Sequence, residues 1–458
     1  MLLKYIVKHF FNKVASSYFV ATIATIAMVC AIFPGAERAV ALPVSHYAAH
    51  SVLSSGYWYK IAVTGSGIYE ISYNQLREWG FTDPSRVRIY GYGGAMLPET
   101  VSPDDVDDLP QIPVLHYNNR ILFYAQGTVD WWYDPTLRKM LHRQNTYATA
   151  GYYFITESDV QAAEPAAAHL NSSTSGEEVD VYDGYMLHEQ ELASLSKSGR
   201  IFLGEDFRYS QTQRFSFSIP GIVNSTLRVE VAFGANVTGG GATLRLYHNN
   251  KQISSGSSWN MGANSDTYEF MKYITPSVDV TSDDGNDVFT ITYVPSGTTV
   301  EARLDYIKLQ YKRSLQLYDG VVQFRNNDFP SGGTFVIGNF NDRCIIWDIT
   351  TQYQPQKVAA TVSNGKARFS PVETQHDYIA FDPAATFPSP TGVGTLANQD
   401  LHGMATPDMV ILAPRQFLSY ADRVAALHES VDSFQVAVID HELVFNEFSS
   451  GTPDAVAY

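Results

Sequence analysis

The hydrophobic pattern of this chain changes period once. Over most of its length apolar and polar residues alternate in short runs broken by Gly, Asn, Asp and Ser, the signature of half-buried strands joined by turns. Alternation is regular from Tyr57 to Val63 and from Ile68 to Tyr73, with Gly65-Ser-Gly67 between, which predicts a hairpin. Strands are also predicted at Arg86 to Tyr90, Ile112 to Tyr117, Arg120 to Ala125 and Tyr152 to Thr156, giving a β-rich domain over residues 50–160. The Ala- and Ser-rich run from Gln161 has few large apolar residues, so 161–199 reads as a linker or extended segment. Residues 200–315 carry strands at Gln213 to Ile219, Thr226 to Phe233, Ala242 to Tyr247, Asp287 to Tyr293 and Arg303 to Tyr311, a spacing that predicts a β-sandwich. A smaller β segment, 316–385, has strands near Gly333 to Ile337, Cys344 to Ile349, Lys357 to Val362 and Tyr378 to Phe381.

Phe387-Pro-Ser-Pro-Thr-Gly392 marks a boundary, and beyond it the period lengthens from two to about 3.6. Met409 to Ala413 predicts a buried strand. Pro414 opens a helix with Phe417, Tyr420, Ala421, Val424, Leu427 and Val431 on one face, and Val436 to Ile439 is a second buried strand. Strand, helix, strand is the order of a parallel α/β sheet. The predicted fold class is therefore multidomain: β-rich N-terminal domains including a sandwich, then the start of an α/β parallel-sheet domain over 396–458. Asp440 to Gly451 reads as a polar loop after the second strand. Thr452 then reads as an N-cap, with Pro453 at the first helical position and Asp454 favourable to the dipole. A helix with about one turn present cannot bury a face, so the chain is expected to be the front of a longer protein.

Charge and cysteine usage narrow the partners. Lysines at 4, 8 and 13, an apolar run from Tyr18 to Phe33 and Ala39-Val-Ala41 form a secretory signal, residues 1–41, with cleavage expected after Ala41. A retained anchor is the competing reading, the 16-residue run being only a little short of a span. Lipidation at Cys30 fits poorly after the β-branched Val29. Without the signal, 27 basic residues face 46 acidic ones, a net of −19 that repels phosphate backbones and excludes nucleic acid as partner. Cys344 would then be the sole thiol, inside an apolar strand, and is read as a small buried hydrophobe rather than a nucleophile.

Other candidate chemistry is weak. His402, His428 and His441 have no thiol or serine partner at motif spacing. His428-Glu429 lacks the second histidine of a zinc helix, since position 432 is Asp. Gly65-Ser-Gly67 lacks the frame of a nucleophile elbow. Asp104, Asp105, Asp107 and Asp108, and Asp283, Asp284 and Asp287, suit a structural calcium ion in an exported protein, but not at EF-hand spacing, and solvated loops are the expected state. No catalytic, cofactor or metal-binding residue is assigned within the chain.

The strings Asn398-Gln-Asp-Leu-His402, Pro407-Asp-Met-Val-Ile-Leu412 and, most specifically, Asn446-Glu-Phe-Ser-Ser-Gly-Thr-Pro-Asp454 resemble the opening of the catalytic domain of gingipain-type cysteine peptidases. Upstream likenesses single out the type IX secretion sortases within that family. They include Gly67-Ile-Tyr-Glu-Ile71, Ile121-Leu-Phe-Tyr-Ala-Gln-Gly127, Trp132-Tyr-Asp134, Asn145-Thr-Tyr147, Leu304-Asp-Tyr306 and Trp347-Asp348. The resemblance implies a caspase-like parallel sheet whose catalytic His and Cys lie beyond Tyr458, at the ends of later strands, with the Asp440 to Gly451 segment bordering the cleft. It implies an outer-membrane or cell-surface peptidase that removes C-terminal sorting domains from secreted cargo. Lipopolysaccharide as acyl acceptor and type IX outer-membrane components are the other implied partners, and no cofactor is implied. Two rival readings are a secreted gingipain-like protease and a non-catalytic surface binding protein built on the sandwich.

Overall fold

The computed structural model describes residues 47–100, 102, 105–160, 162–171, 176–253, 258–261 and 270–458. The signal segment 1–41, Cys30 and Asp104 lie outside the described residues.

The first core lies between two antiparallel sheets. One runs Thr391–Leu396, Trp58–Val63, Gly151–Glu157, Val87–Tyr90, Gln111–Ile112; the other runs Gly67–Ser72, Arg120–Ala125, Leu115–Tyr117. Ile61, Val63, Ile89 and Ile155 from the first layer meet Ile71, Ile121 and Phe123 from the second. The hairpin expected around Gly65-Ser-Gly67 does not form. Trp58–Val63 pairs with Gly151–Glu157, while Gly67–Ser72 pairs with Arg120–Ala125. Both strands bury one face in the same core from opposite sides, so the turn is a corner between layers. The boundary expected at 387–392 is also overridden, because Thr391–Leu396 returns to pair with Trp58–Val63.

In the sandwich, Val181–Glu189, Thr298–Ser314, Ile222–Thr238 and Lys272–Ile274 form one sheet; Thr212–Ser218, Asn286–Pro295, Ala242–His248 and Lys251–Gln252 form the other. Leu227, Val229, Val231 and Phe233 point inward at period two, against Phe289, Ile291 and Tyr293. Inward parity on Thr298–Ser314 changes between Leu304 and Ile307, where Ala232 pairs Tyr306 and Phe233 pairs Leu304. Asp305 is the extra residue of that bulge, which keeps a long strand facing its core. The stretch 161–199 is more than a linker: Ala166–Ala167 and Glu178–Val179 pair with strands of the third unit, and Val181–Glu189 is an edge of the sandwich. Its small residues concealed this, since an edge strand needs little apolar side chain. The third unit packs two further sheets around Phe324, Phe335, Phe369 and Tyr378.

One hairpin, Val129–Asp134 with Lys139–Gln144, went unpredicted. It leaves the first unit and lies on the sandwich, where Trp131 meets Tyr185 at 4.3 Å between ring centroids and Lys139 pairs with Glu230 at 3.3 Å.

At the C-terminal side Met409–Ala413 and Val436–Asp440 pair in parallel, Met409 opposite Val436. Leu418–Val431 is the helix between them. Its buried residues are Ala421 and Ala425 only. Most of the apolar face expected to be covered is open, with Tyr420 61%, Leu427 58% and Val431 69% exposed.

Candidate functional site

The polar loop expected from Asp440 to Gly451 is mostly helix. Asp440 caps His441–Phe448 by accepting from the Glu442 N–H at 3.2 Å, a standard N-cap contact. The helix ends at Ser449, and Ser450 (φ +51°) and Gly451 (φ +74°) turn left-handed. Asn446 and Glu447, adjacent on this helix, point into the protein and are 3% and 0% exposed.

A carboxylate with no exposure needs donors on every side. Glu447 receives the Leu401 N–H at 2.8 Å, the His402 N–H at 3.2 Å, His402 Nδ1 at 2.6 Å and Gln399 Nε2 at 2.9 Å. Burial pushes its pKa up, but these hydrogen bonds, His402 foremost, outweigh burial and hold it below the usual range. For His402 burial opposes the charge, and the Glu447 bond together with Asp108 and Asp107 overcomes it, so its pKa is raised. His402 Nε2 faces Asp107 at 3.6 Å. The motifs Asn398 to His402 and Asn446 to Asp454 are thus the two halves of one buried ion pair.

Asn446 carries the network onward. Its Nδ2 donates to Gln399 Oε1 at 3.0 Å, and its Oδ1 accepts from Lys60 Nζ at 3.0 Å. Lys60, on the Trp58–Val63 strand, donates also to the Gly451 carbonyl at 2.9 Å and lies 4.3 Å from the Tyr152 ring centroid. Burial lowers its pKa to about 8, partly countered by Glu442. Beyond it, Ser450 Oγ accepts the Tyr92 N–H and donates to the Tyr152 carbonyl, at 3.0 and 2.9 Å. Tyr92 OH donates to the Phe448 carbonyl, Thr452 Oγ1 to the Gly93 carbonyl, and the Leu97 N–H to Asp454. Thr452 is therefore no N-cap. That role falls to Asp454, which accepts from the Val456 N–H at 2.8 Å ahead of the short 3-10 turn Ala455–Ala457. Thr452 is diverted because its hydroxyl finds a buried carbonyl in the first sheet's neighbourhood.

The remaining candidates stand apart. His428 Nδ1 bonds Asp432 one turn on, at 2.7 Å, and His441 packs on Phe445. Cys344 sits in the turn before Ile345–Asp348, half-buried, where burial raises its pKa and its Sγ accepts from the Asn341 N–H. Two of the acids of the calcium reading are engaged by protein donors. Asp108 accepts from Ser51 and Val52, and Asp287, 1% exposed, takes His248 at 2.6 Å and Ser282 at 2.7 Å. Among the described residues no three acids, histidines or cysteines gather in a metal-binding group. Lys60, Tyr92 and Gly93 were not singled out by the sequence: a lysine in an alternating strand looks like an outward-facing one.

The profile of peptidase family C25 matches residues 403–458. The structure of dimeric latent PorU from Porphyromonas gingivalis superposes with a TM-score of 0.78 at 32% identity over 90% of this chain. This chain is PorU-like over most of its length, and its residues 403–458 match the C25 peptidase family. It spans 40% of that PorU chain. The PorU likeness runs through the β-rich units as well as the C25 segment, as the strand-rich architecture requires. Family 35 carbohydrate-binding modules from an environmental isolate and from Clostridium thermocellum match at 16% and 14% identity, covering 32% and 28% of this chain and 87% and 91% of theirs. Their TM-scores, both 0.18, are too low to bear on the fold. No curated protein sequence matches the chain. Among the described residues no helix is long and apolar enough to cross a membrane.

Proposed function

We propose that this PorU-like chain is the leading part of a type IX secretion sortase, a cysteine peptidase exported by its N-terminal signal to the outer membrane or cell surface. In this reading a cysteine thiolate, its proton held by a histidine, attacks the carbonyl before a cargo protein's C-terminal sorting domain, both side chains being supplied by sequence following Tyr458. The sorting domain leaves as the free amine, taking its proton from the histidine. The thioester is resolved by an amine of surface lipopolysaccharide or by water, regenerating the thiol. In this reading the described residues take no part in these bond changes.

The observation that carries the reading is the burial of the segment from Asn446, in the helix His441–Phe448, to Asp454. It follows the carboxyl end of the Val436–Asp440 strand, the side where open parallel sheets place their active sites. There the first β unit grips it through Lys60, Tyr92, Gly93 and the Tyr152 carbonyl. Such a grip supports a catalytic wall from behind and does none of the chemistry. The match to PorU through the β units favours a sortase over a free protease.

The test is to express the reading frame extended past Tyr458 and incubate it with a cargo protein bearing a sorting domain. Cleavage at the junction, lost on alkylation of the thiol, is expected. A following sequence without His and Cys, or an intact cargo, would sink the proposal. Degradation at unrelated sites would favour a free protease.

A further inference from the structure

Where the hairpin strand Lys139–Gln144 lies on the sandwich, the two enclose a cavity of about 320 Å³ whose lining is rich in charge. The bulge at Asp305 builds part of it. Leu304 and Ile307 both face the core, so Asp305 and Tyr306, adjacent in sequence, both turn outward and both line the cavity. A regular strand would have sent one of them inward. Glu189, at the end of the strand Val181–Glu189, and Glu191 just beyond it add two more carboxylates.

The basic residues of the lining are engaged elsewhere. Lys308 and Lys139 both reach Glu230, at 2.8 and 3.3 Å, Arg200 pairs with Glu99 at 2.6 Å, and Arg143 donates through Nη2 to the Met96 carbonyl at 2.7 Å. Among the described residues only His142, with Nε2 3.0 Å from Glu189, and the Tyr273 hydroxyl, bonded to Asp305, answer the three carboxylates Glu189, Glu191 and Asp305. Burial, then Glu189 and Asp305, push the Glu191 carboxyl up to about 7. Burial pushes Asp305 up to about 6, helped by Glu189 and opposed by the Tyr273 bond and His142. Three buried atoms of the same lining have no hydrogen-bond partner among the described residues: Glu191 Oε2, His142 Nδ1 and Arg143 Nε. The His142 side chain is only 6% exposed. Such atoms cost free energy unless something else supplies their partners.

A metal ion does not fit that role, since no three carboxylates or histidines among the described residues gather closely enough to share one. The space is also far more than one ion fills, and stands at the lower end of the range of about 300 to 1,000 Å³ for ligand pockets. What the lining lacks is a cation with several N–H donors for the carboxylates, and an acceptor for Arg143 Nε. Leu141, Ile201 and Phe202 offer apolar wall for a carbon stem between the two.

We propose that this cavity binds an alkylammonium group of the kind a lysine side chain carries, its N–H donors on Glu189, Glu191 and Asp305 and a carbonyl at the root of its stem on Arg143 Nε. The inference stands apart from the peptidase chemistry, every residue it names lying outside the C25 segment.

The full chain is titrated with Nα-acetyl-lysine methylamide at pH 8, where Glu191 is ionised and an alkyl amine still charged, and binding is followed by saturation-transfer NMR. Parallel titrations use the Nε-acetylated form, which keeps stem and carbonyl but loses the charge, and glucosamine, which keeps the charge on a polar ring. Saturable binding of the lysine amide is expected, weakened roughly tenfold or more by Nε-acetylation and by either Glu191→Gln or Asp305→Asn. Glu191→Gln relieves repulsion among the carboxylates and should unfold no earlier than the wild type, so its loss of binding is not a loss of fold. No binding of the lysine amide, equal binding of its Nε-acetylated form, or binding that both variants preserve would overturn the proposal. So would tighter binding of glucosamine, which would make the cavity a site for an amino sugar.

Discussion

The two sides of the C-terminal α/β segment invert the usual relation between hydropathy and burial. Toward the first β unit lies the string Asn446 to Asp454, mostly polar, in which Asn446, Glu447, Ser449, Ser450, Thr452 and Asp454 are all at most 3% exposed. On the other side the helix Leu418–Val431 and the strand Met409–Ala413 leave Val410, Leu412, Tyr420, Val424, Leu427 and Val431 largely open. Apolar area out of water is what stabilises most interfaces, by about 25 cal/mol per Å². The seam uses something else. Its polar groups have partners of matched geometry, His402 Nε2 excepted, which only faces Asp107 at 3.6 Å, and such a network contributes less to stability than to defining a single arrangement. It fixes the loop, while the apolar side is left uncommitted.

The difference is broken most severely at Glu447. Glu447→Ala strands the N–H groups of Leu401 and His402 and the His402 ring without an acceptor, leaves Gln399 only the Leu443 carbonyl, and is expected to cost about 3 to 5 kcal/mol. Urea unfolding measures this, and a loss below about 1 kcal/mol would show that the seam is not a cooperative unit. Lys60→Met comes next. It removes two hydrogen bonds and leaves Asn446 Oδ1 and the Gly451 carbonyl unanswered, for an expected loss of about 2 kcal/mol. Because burial lowers the lysine's pKa to about 8, the unfolded chain binds more protons than the folded one from there to the ordinary lysine value of 10.5. The wild-type protein should therefore gain stability from this group as pH rises through that window, and Lys60→Met should lose that gain.

The His402–Glu447 pair has the opposite sign at high pH. His402's folded pKa is raised, so its contribution is complete below its unfolded value near 6.5 and is lost as pH climbs through the folded one. Glu447's folded pKa is depressed, so its contribution is present above about 4.5 and is lost as pH falls through the folded value. The pair is therefore most stabilising from about pH 4.5 to 6.5. His402→Gln should flatten the loss on the neutral side of that window, read by thermal melts at stepped pH. An unchanged profile would mean the imidazole is neutral in the folded protein.

Much of this was legible from the residues, and the failures share a cause. Continuous apolar runs located Arg120–Ala125 and Tyr378–Phe381 to the residue, because a central strand buried on both faces is apolar on both. The motif strings marked the seam, since a cluster such as Asn446-Glu-Phe-Ser-Ser has no reason to recur in a solvated loop. Pairing was not legible. Gly65-Ser-Gly67 looks alike as a hairpin or as a corner between layers, and only the distant partners Gly151–Glu157 and Arg120–Ala125 decide. Lys60 and Tyr92 stayed hidden for the same reason: their function depends on what residues more than 300 positions away bring to them.

The open side supplies the smallest expected effect on stability. Leu427 is 58% exposed and Val424 46%, so neither gains much from folding, and Leu427→Ser with Val424→Ser should shift unfolding by no more than about 0.5 kcal/mol. The same pair should change how the surface meets other apolar matter. Contiguous exposed apolar residues of this kind bind hydrophobic dyes and draw molecules together, so the double variant should bind less anilinonaphthalene sulfonate and stay monomeric to higher concentration in sedimentation. A loss of more than about 1 kcal/mol would mean these side chains are already packed in solution. The asymmetry between a satisfied polar seam and an unsatisfied apolar face would then vanish, and the helix would have to be read as finished on both sides.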